Sequence, residues 1–509
     1  MNSIPKTVSS LRIIDNPDME ALRQMARYEE KTTQHGSASY VTKVRNRSAK
    51  NTYIVANGIS IGVRQREVPF ADALSKAQEV QEYLKERKLI RLDKKMGESA
   101  GWSYHCRLYI TAEYARIPFM WDNTLFDIED KNAEPDFVSI FVPEWPERLI
   151  FLDPLAGVTY ILGTDYFGEC KKAFLRMAMF KAKQNGGLGL HAGSKVIRIE
   201  KDNEIQNVGF IMFGLSGTGK TTLTIHDHGL SGNEGVIIKQ DDVVLMDGHG
   251  RCYGTENGFF IKTEGLDETQ RVLYKAASSD NASFENVKVN ENGTLDFADS
   301  ELTSNGRGVV LRRDVDMTDD TIDLDCADRV IFITRRNDVV PVVAKLTPAQ
   351  AAMFFMLGES IETSAGDPTK AGQAKREVGT NPFIVGSEAE EGNRFLEILQ
   401  NNPQMECFLL NTGSIGMKDG SHGEKVTIPA TTEIMKSIAK STITWEHDED
   451  WGYEVPVHVP GVDIEKYDPR KYYGDDEYRK LTDKLKAERK QWLAQFPGLD
   501  AQIISALEA

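Results

Sequence analysis

The residues best suited to chemistry in this 509-residue chain lie at Gly214–Thr221, which read GLSGTGKT and fit the spacing G-x-x-x-x-G-K-[ST]. Glycines at those positions let the backbone close into a ring of N–H groups that holds phosphate oxygens. Gly214, Leu215, Ser216, Gly217, Thr218 and Gly219 would form the cradle, and Lys220, Thr221 and Thr222 would open the following helix. The helix N-terminus adds donors and a positive dipole end. Lys220 is expected to reach the β- and γ-phosphates of ATP, and the Thr221 hydroxyl to bind the metal that bridges them. A chain of this length shows the pattern by chance in about one or two cases in a hundred. Context strengthens it: the apolar run Val208–Phe213 precedes the loop as a strand, and Thr221–His226 follows as a helix start.

A metal-bound nucleotide also calls for a carboxylate. Asp241-Asp242 follows the next apolar run, Val236–Ile238, where the end of a neighbouring strand is expected. The plainer reading of such a pair is a turn or a helix cap, and the phosphate loop upstream favours the metal.

The elements that must position these groups are of mixed type, so the expected fold is α/β: a two-domain, mixed-sheet architecture whose C-terminal domain is a P-loop mononucleotide-binding domain. A boundary near residue 205 divides the chain into an N-terminal substrate-binding domain, 1–205, and a nucleotide- and metal-binding domain, 206–509. TYIVANGISIGV at Thr52–Val63 has the form of a hairpin turning at Asn57-Gly58. Strands are expected at Phe137–Val142, Leu149–Asp153, Val158–Leu162 and Arg329–Thr334. Helices are expected over Ala71–Lys88, over Phe167–Gln184 as an amphipathic helix, over Pro348–Met356, and over Asp475–Phe496 with one apolar face. Residues 1–40 are polar and mixed.

Composition excludes several classes. Hydrophobic residues at 40% and charged residues at 27% are ordinary for a globular chain. No apolar stretch approaches the ~20 residues that span a bilayer, and Met1–Asp15 lacks the apolar core of a signal peptide, so a cytoplasmic location is expected. Five scattered cysteines without a CxxC pair point to neither a zinc site nor a disulfide framework. A net charge of −16 disfavours a nucleic-acid partner, although one phosphate pocket needs only a few local donors.

Beyond the loop, a series of segments resembles the family of ATP-dependent phosphoenolpyruvate carboxykinases in the same order along the chain. Gly214–Leu223 reads the same as that family's G-L-S-G-T-G-K-T-T-L. Asn46–Lys50 with Tyr53–Val55 resembles G-R-S-P-K…F-I-V, and Arg107–Phe126 resembles R-x-I-T-E-x-A…F…N-x-F. Gly163–Lys172 (GTDYFGECKK) resembles G-T-x-Y-A-G-E-M-K-K, and Leu188–Gly193 resembles P-M-H-C-S. Further on, Glu256–Thr263, Phe284–Val289 with Glu301–Gly308, Ala344–Ala351, Leu410–Gly416 and Trp451–Arg470 have counterparts, so the likeness runs from about residue 40 to 500.

The resemblance implies an enzyme of gluconeogenesis that decarboxylates oxaloacetate and phosphorylates the resulting enolate with ATP, reversibly, giving phosphoenolpyruvate, carbon dioxide and ADP. It implies Mn²⁺ held by Lys171, His191 and Asp242, with Asp241 beside them, and Mg²⁺ arriving with ATP at Thr221. A lysine ligates only when neutral, and the cation together with Lys172 would lower the Lys171 pKa. Arg47, Tyr166 and Arg307 would hold carboxylates and the departing carbon dioxide, and Lys220 and Lys262 would offset phosphate charge during transfer. The implied partners are the small acid and the nucleotide, with no nucleic acid or membrane, in a monomer or small homo-oligomer.

The chain departs from the family at four places. The metal aspartates continue as Val243-Val244-Leu245 instead of E-H-x. In the adenine loop, Thr412–Lys425, Ser414 stands where the family has a stacking tryptophan, Lys425 replaces an arginine, and a later family arginine aligns with Glu433. The C-F-G-x-P-F segment becomes Val378–Phe383, and the cysteine after the metal histidine is Ala192. These differences keep open a divergent kinase on the same scaffold, acting on another small acid or on a protein serine, since Gln240–Asp247 also resembles HPr kinase/phosphorylase. A non-catalytic nucleotide-binding regulator is the third reading.

Overall fold

Continuous apolar runs such as FVSIFV and VTYIL cannot leave a face in water, so they form central strands covered on both sides. In the computed structural model, which describes residues 3–10, 12–361, 373–418 and 421–508, Phe137–Val142 and Val158–Leu162 are buried at every position. The chain divides into two compact units. One comprises 1–184, 254–318 and 383–386, and the other 185–253, 319–382 and 387–509. The architecture is α/β with several mixed sheets.

The first unit is built on an eight-stranded mixed sheet. Its strands run in the order Arg12–Asp15, Lys88–Met96, Tyr104–Thr111, Phe137–Val142, Val158–Leu162, Leu149–Asp153, Thr52–Ala56 and Glu67–Pro69. The N-terminal segment is part of this core: Ile4 and Val8 are buried against it, and Tyr160 donates to the Pro5 carbonyl at 2.8 Å. A second sheet of five strands carries Phe259–Lys262, Arg307–Val310 and Ser283–Glu285 side by side.

Two expectations need correction here. Thr52–Ala56 is a strand and Gly58 has the positive φ of a turn, +84°, yet no hairpin forms. The returning strand is Glu67–Pro69, and it pairs parallel, with Ile54 opposite Glu67. Residues 57–66 therefore act as a crossover connection and not as a two-residue turn. The helix Phe167–Gln184 is not amphipathic either. Fifteen of its 18 residues are buried, Lys171, Lys172 and Arg176 among them, which marks a helix enclosed on all sides. Phe174 stacks on Trp121 at 4.6 Å between ring centroids.

The second unit holds another eight-stranded sheet: Gly235–Gln240, Ala192–Lys201, Glu204–Gly214, Arg329–Thr334, Glu406–Asn411, Val343–Leu346, Tyr453–His458 and Thr444–Asp448. Phe213 from the centre of the sheet meets Phe332 at 5.2 Å and Phe355 at 5.6 Å. Phe355 belongs to the helix Pro348–Leu357, which Thr347 and Gln350 open as a reciprocal capping box. The C-terminal helix spans Asp475–Leu493, and its buried residues Tyr478, Thr482, Leu485, Arg489 and Leu493 recur at helical spacing.

Candidate functional site

In the second unit, strand register brings the phosphate loop, His191 and the aspartate pair to one edge of one sheet. The strand Glu204–Gly214 ends at the loop, and Phe213 lies opposite Ala192 on the antiparallel neighbour Ala192–Lys201. The far side of that neighbour pairs antiparallel with Gly235–Gln240, Ser194 facing Gln240. The chain thus reaches Asp241 at the edge where it leaves Gly214 and enters after His191. The aspartate strand is one removed from the loop strand, with Ala192–Lys201 between them, and not its direct neighbour as the sequence suggested.

A short ladder tightens this arrangement. Leu188–Leu190 pairs antiparallel with Val244–Met246, Leu190 opposite Val244. Residues just beyond that pair, His191 and Asp242, are therefore brought together, and His191 Nε2 stands 3.2 Å from Asp242 Oδ1. Val243, Val244 and Leu245, which replace the family's polar residues, are buried in this ladder. His191 Nδ1 lies 2.7 Å from the Thr380 carbonyl. A carbonyl can only accept, so Nδ1 carries a proton, which leaves Nε2 as the ring nitrogen that faces the carboxylate. A metal-binding histidine is oriented in this way.

The loop itself runs from the buried Gly214 to a helix of six residues, Lys220–Ile225. Gly219 enters that helix at φ +93°, a left-handed conformation open to glycine. Arg335 donates to the Gly217 carbonyl at 3.1 Å, and the Thr412 hydroxyl to the Thr218 carbonyl at 2.7 Å. Neither brace was legible in the sequence, because each comes from a distant strand end.

Beneath the loop helix lies a second feature that the sequence does not announce. A Cβ on Gly193 would come within 2.4 Å of Thr224 Oγ1, so the glycine permits close contact between strand and helix. Two residues on, the fully buried Lys195 Nζ donates to the Leu223 carbonyl at 2.5 Å and meets His228 Nε2. His228 Nδ1 faces the Thr432 carbonyl at 3.3 Å. Burial pushes both the Lys195 and the His228 pKa well below their ordinary values, so the pair is read as a neutral amine donating to a neutral imidazole. Lys195→Met is expected to lose about 1–3 kcal/mol of stability and to raise KM for ATP while leaving KM for the acid unchanged. Urea unfolding and steady-state kinetics measure the two effects.

The first unit holds the remaining candidates. Lys171 Nζ donates to Glu256 Oε2 at 2.7 Å, with the Phe260 ring 5.6 Å away. Arg307, paired in register with Lys262, lies 5.4 Å from the same ring. Its Nη2 donates to Asn305 Oδ1 at 2.8 Å, while its buried Nε has no hydrogen-bond partner among the described residues. Asn305 also reaches the buried Tyr166 hydroxyl at 3.4 Å, and burial raises the Tyr166 pKa. Lys262 pairs with Glu264. Arg47 and Lys172 lie 4.2 and 4.7 Å from the centre of the Phe383 ring.

Glu285, which the sequence placed only within a matching segment, anchors the helix that carries Lys171 and Lys172. Its Oε1 accepts from the Phe167 amide at 2.9 Å and from the buried Arg116 at 3.2 Å. Burial pushes its carboxyl up to about 7 against the pull of Arg116. Arg116 also binds Asp165 Oδ2 at 3.0 Å, and Asp165 in turn caps the amides of Lys43 and Val44 close to Arg47 in sequence.

Of the adenine loop, Ser414 pairs in register with Lys425, and Glu433 is bound to Lys436 at 2.7 Å. Asp419 and Gly420 of that loop lie outside the described residues.

A family profile described as Phosphoenolpyruvate carboxykinase matches residues 11–465. The chain belongs to the phosphoenolpyruvate carboxykinase family. A Phosphoenolpyruvate carboxykinase (ATP) of Aeropyrum pernix is 35% identical over 367 residues, 72% of this chain and 72% of that protein. The enzyme of the same name from Mesorhizobium japonicum is 27% identical over 486 residues, 90% of this chain and 86% of its own length. That of Rhizobium etli is 28% identical over 379 residues. The chain is thus an enzyme of the ATP-dependent carboxykinase type. The family match spans both compact units, so the acid-binding candidates of one and the phosphate loop of the other fall within one shared pattern.

Proposed function

We propose that this carboxykinase-family chain converts oxaloacetate and ATP into phosphoenolpyruvate, carbon dioxide and ADP, reversibly and with dependence on divalent metal. The observation that carries the reading is the convergence of the phosphate loop, His191 and Asp241-Asp242 at one sheet edge. The second unit is read as a P-loop mononucleotide-binding domain, in which loop amides and Lys220 would hold the triphosphate and Thr221 would be a ligand of Mg²⁺.

His191 and Asp242, with Asp241 next in sequence, are the residues of the second unit that would hold Mn²⁺, and the family resemblance adds Lys171 to that set. His191 Nε2 and the adjacent carboxylate fit such an ion, and Glu256 accepts a hydrogen bond from Lys171. When bound, the metal supplies Lewis-acid stabilisation of a developing enolate oxygen. Arg47, Tyr166 and Arg307 bind the acid and the departing carbon dioxide, a guanidinium fork suiting a carboxylate because it pairs in two bonds. The bond to the departing carboxyl group breaks, and its electron pair becomes the enolate. The enolate oxygen then takes the γ-phosphoryl group while Lys220, Lys262 and Lys172 offset the charge that develops. Among the described residues no helix is long and apolar enough to cross a membrane. We read the protein as a cytoplasmic monomer or small homo-oligomer without a nucleic-acid or membrane partner.

Purified protein with oxaloacetate, ATP, Mg²⁺ and Mn²⁺ is expected to form phosphoenolpyruvate and ADP in equal amounts. The activity should be lost on chelation and restored by Mn²⁺. Tight binding of metal and nucleotide without phosphoenolpyruvate, from ATP or GTP, would overturn the reading and point to a redirected kinase.

A further inference from the structure

The carboxykinase resemblance gives a role to Arg47 and Lys172 but none to Arg176, which lies one helical turn beyond Lys172 on the helix Phe167–Gln184. Residues four apart share a face, and here that face meets the segment Phe383–Gly386. Lys183, two turns on from Arg176, donates to the Val385 carbonyl at 2.9 Å. Gln65 binds Gly386 in both directions, at 2.6 and 3.0 Å. The Phe383 ring is thereby fixed, only 2% exposed, with three cations about it. Arg47 lies at 4.2 Å, Lys172 at 4.7 Å and Arg176 at 5.7 Å from its centre.

Arg176 is anomalous among buried arginines of this chain. Arg116 and Arg489, equally enclosed, each bind carboxylates directly. Arg176 is 6% exposed and makes no hydrogen bond or ion pair among the described residues. The carboxylate that acts on it, Glu169, is two turns away on the same helix and accepts the Ser48 amide. Burial, with a contribution from Arg47, lowers its pKa to about 10, so it remains a cation at neutral pH. A buried charge without a partner costs stability that a ring face only partly offsets. A ligand carboxylate paired with that charge would offset the cost.

We propose that Arg176 is a substrate-binding residue that takes the second carboxylate of a small dicarboxylic acid, beside Arg47 at the Phe383 ring. The planar fork matches a carboxylate in two bonds. One unpaired guanidinium in addition to Arg47 therefore selects a diacid over a monoacid of the same size. The proposal rests on the reading of the first unit as the acid-binding unit, but its test needs no turnover.

Malonate and pyruvate serve as equilibrium probes, titrated calorimetrically into the full chain and into Arg176→Gln and Arg176→Lys. Arg176→Gln is expected to weaken malonate at least about ten-fold, ~1.4 kcal/mol, and pyruvate less than about two-fold. Arg176→Lys should recover part of the malonate affinity. Ligand-free Arg176→Met should unfold at higher urea than the parent chain, since it loses an unpaired buried charge, whereas a structural arginine would give the reverse. In turnover, KM for oxaloacetate should rise in Arg176→Gln with KM for ATP unchanged. Equal losses for malonate and pyruvate, no loss for either, or a destabilised Arg176→Met would overturn the proposal. Absence of phosphoenolpyruvate alongside a selective malonate loss would overturn the assigned reaction and leave this site standing.

Discussion

Lys220→Ala is expected to lower kcat/KM for phosphoenolpyruvate formation by about 10³-fold, ~4 kcal/mol of transition-state stabilisation, with little change in folding stability. The reasoning starts from the loop. On the proposed reading its phosphate-binding groups are backbone amides, which an alanine at 220 leaves in place, so the mutant should still bind nucleotide. What it loses is the Lys220 ammonium at the helix start, half-buried at the end of the loop. That charge matters most when negative charge shifts during transfer, so the loss should fall mainly on kcat. ATP affinity, followed by calorimetry with Mg²⁺ present, should weaken far less than turnover. A mutant that retains more than about a tenth of parental kcat would mean that another cation carries the transfer. Lys262 would then be the next residue to replace.

How far the sequence disclosed this site depends on the range of the interaction that builds each part. The strand–loop–helix form of Gly214–Thr221 was legible because its signal is local: eight consecutive residues specify the glycine turn and the start of a helix. Asp242 was legible because it follows an apolar strand at the expected remove. The intervening strand, Ala192–Lys201, was not visible, since antiparallel pairing on both of its sides leaves no mark in spacing. The hairpin expected over Thr52–Val63 failed for a related reason. Asn57-Gly58 does bend the chain, but a turn signal fixes the bend and not the strand that answers it. The burial of Phe167–Gln184 was hidden by its own lysines and arginine, which read as a wetted face until the segments packed around them are known. Arg176, the Lys195–His228 pair and the braces from Arg335 and Thr412 all depend on contacts between distant segments, which a single sequence does not contain. The return of residues 254–318 to the first unit carries no compositional mark at all.

Glu359 carries the largest expected effect on folding, and Glu359→Ala should destabilise the second unit by about 3–5 kcal/mol. The carboxylate follows Gly358, whose left-handed conformation ends the helix Pro348–Leu357. It is fully enclosed and accepts from Arg489 at 2.7 Å and from Arg376 at 2.8 Å. Arg489 brings the C-terminal helix into this group and lies 5.1 Å from both the Phe354 and the Trp451 rings. Removing the carboxylate leaves two guanidinium groups without their shared anion, which is far more costly than removing a surface pair. Burial opposes ionisation of Glu359, but Arg489 first and Arg336 next hold its pKa far below the usual carboxylate range. Because the folded value is depressed, the unfolded chain binds the proton more readily, and the stabilisation is complete above the unfolded pKa of about 4.3. It declines as the pH falls from there towards the folded value. The gap in urea midpoint between the parent chain and Glu359→Gln should therefore be constant from about pH 8 to 5 and narrow below about pH 4. A gap independent of pH down to pH 3 would show that packing of the arginine stems, and not the buried charge, supports this corner of the fold.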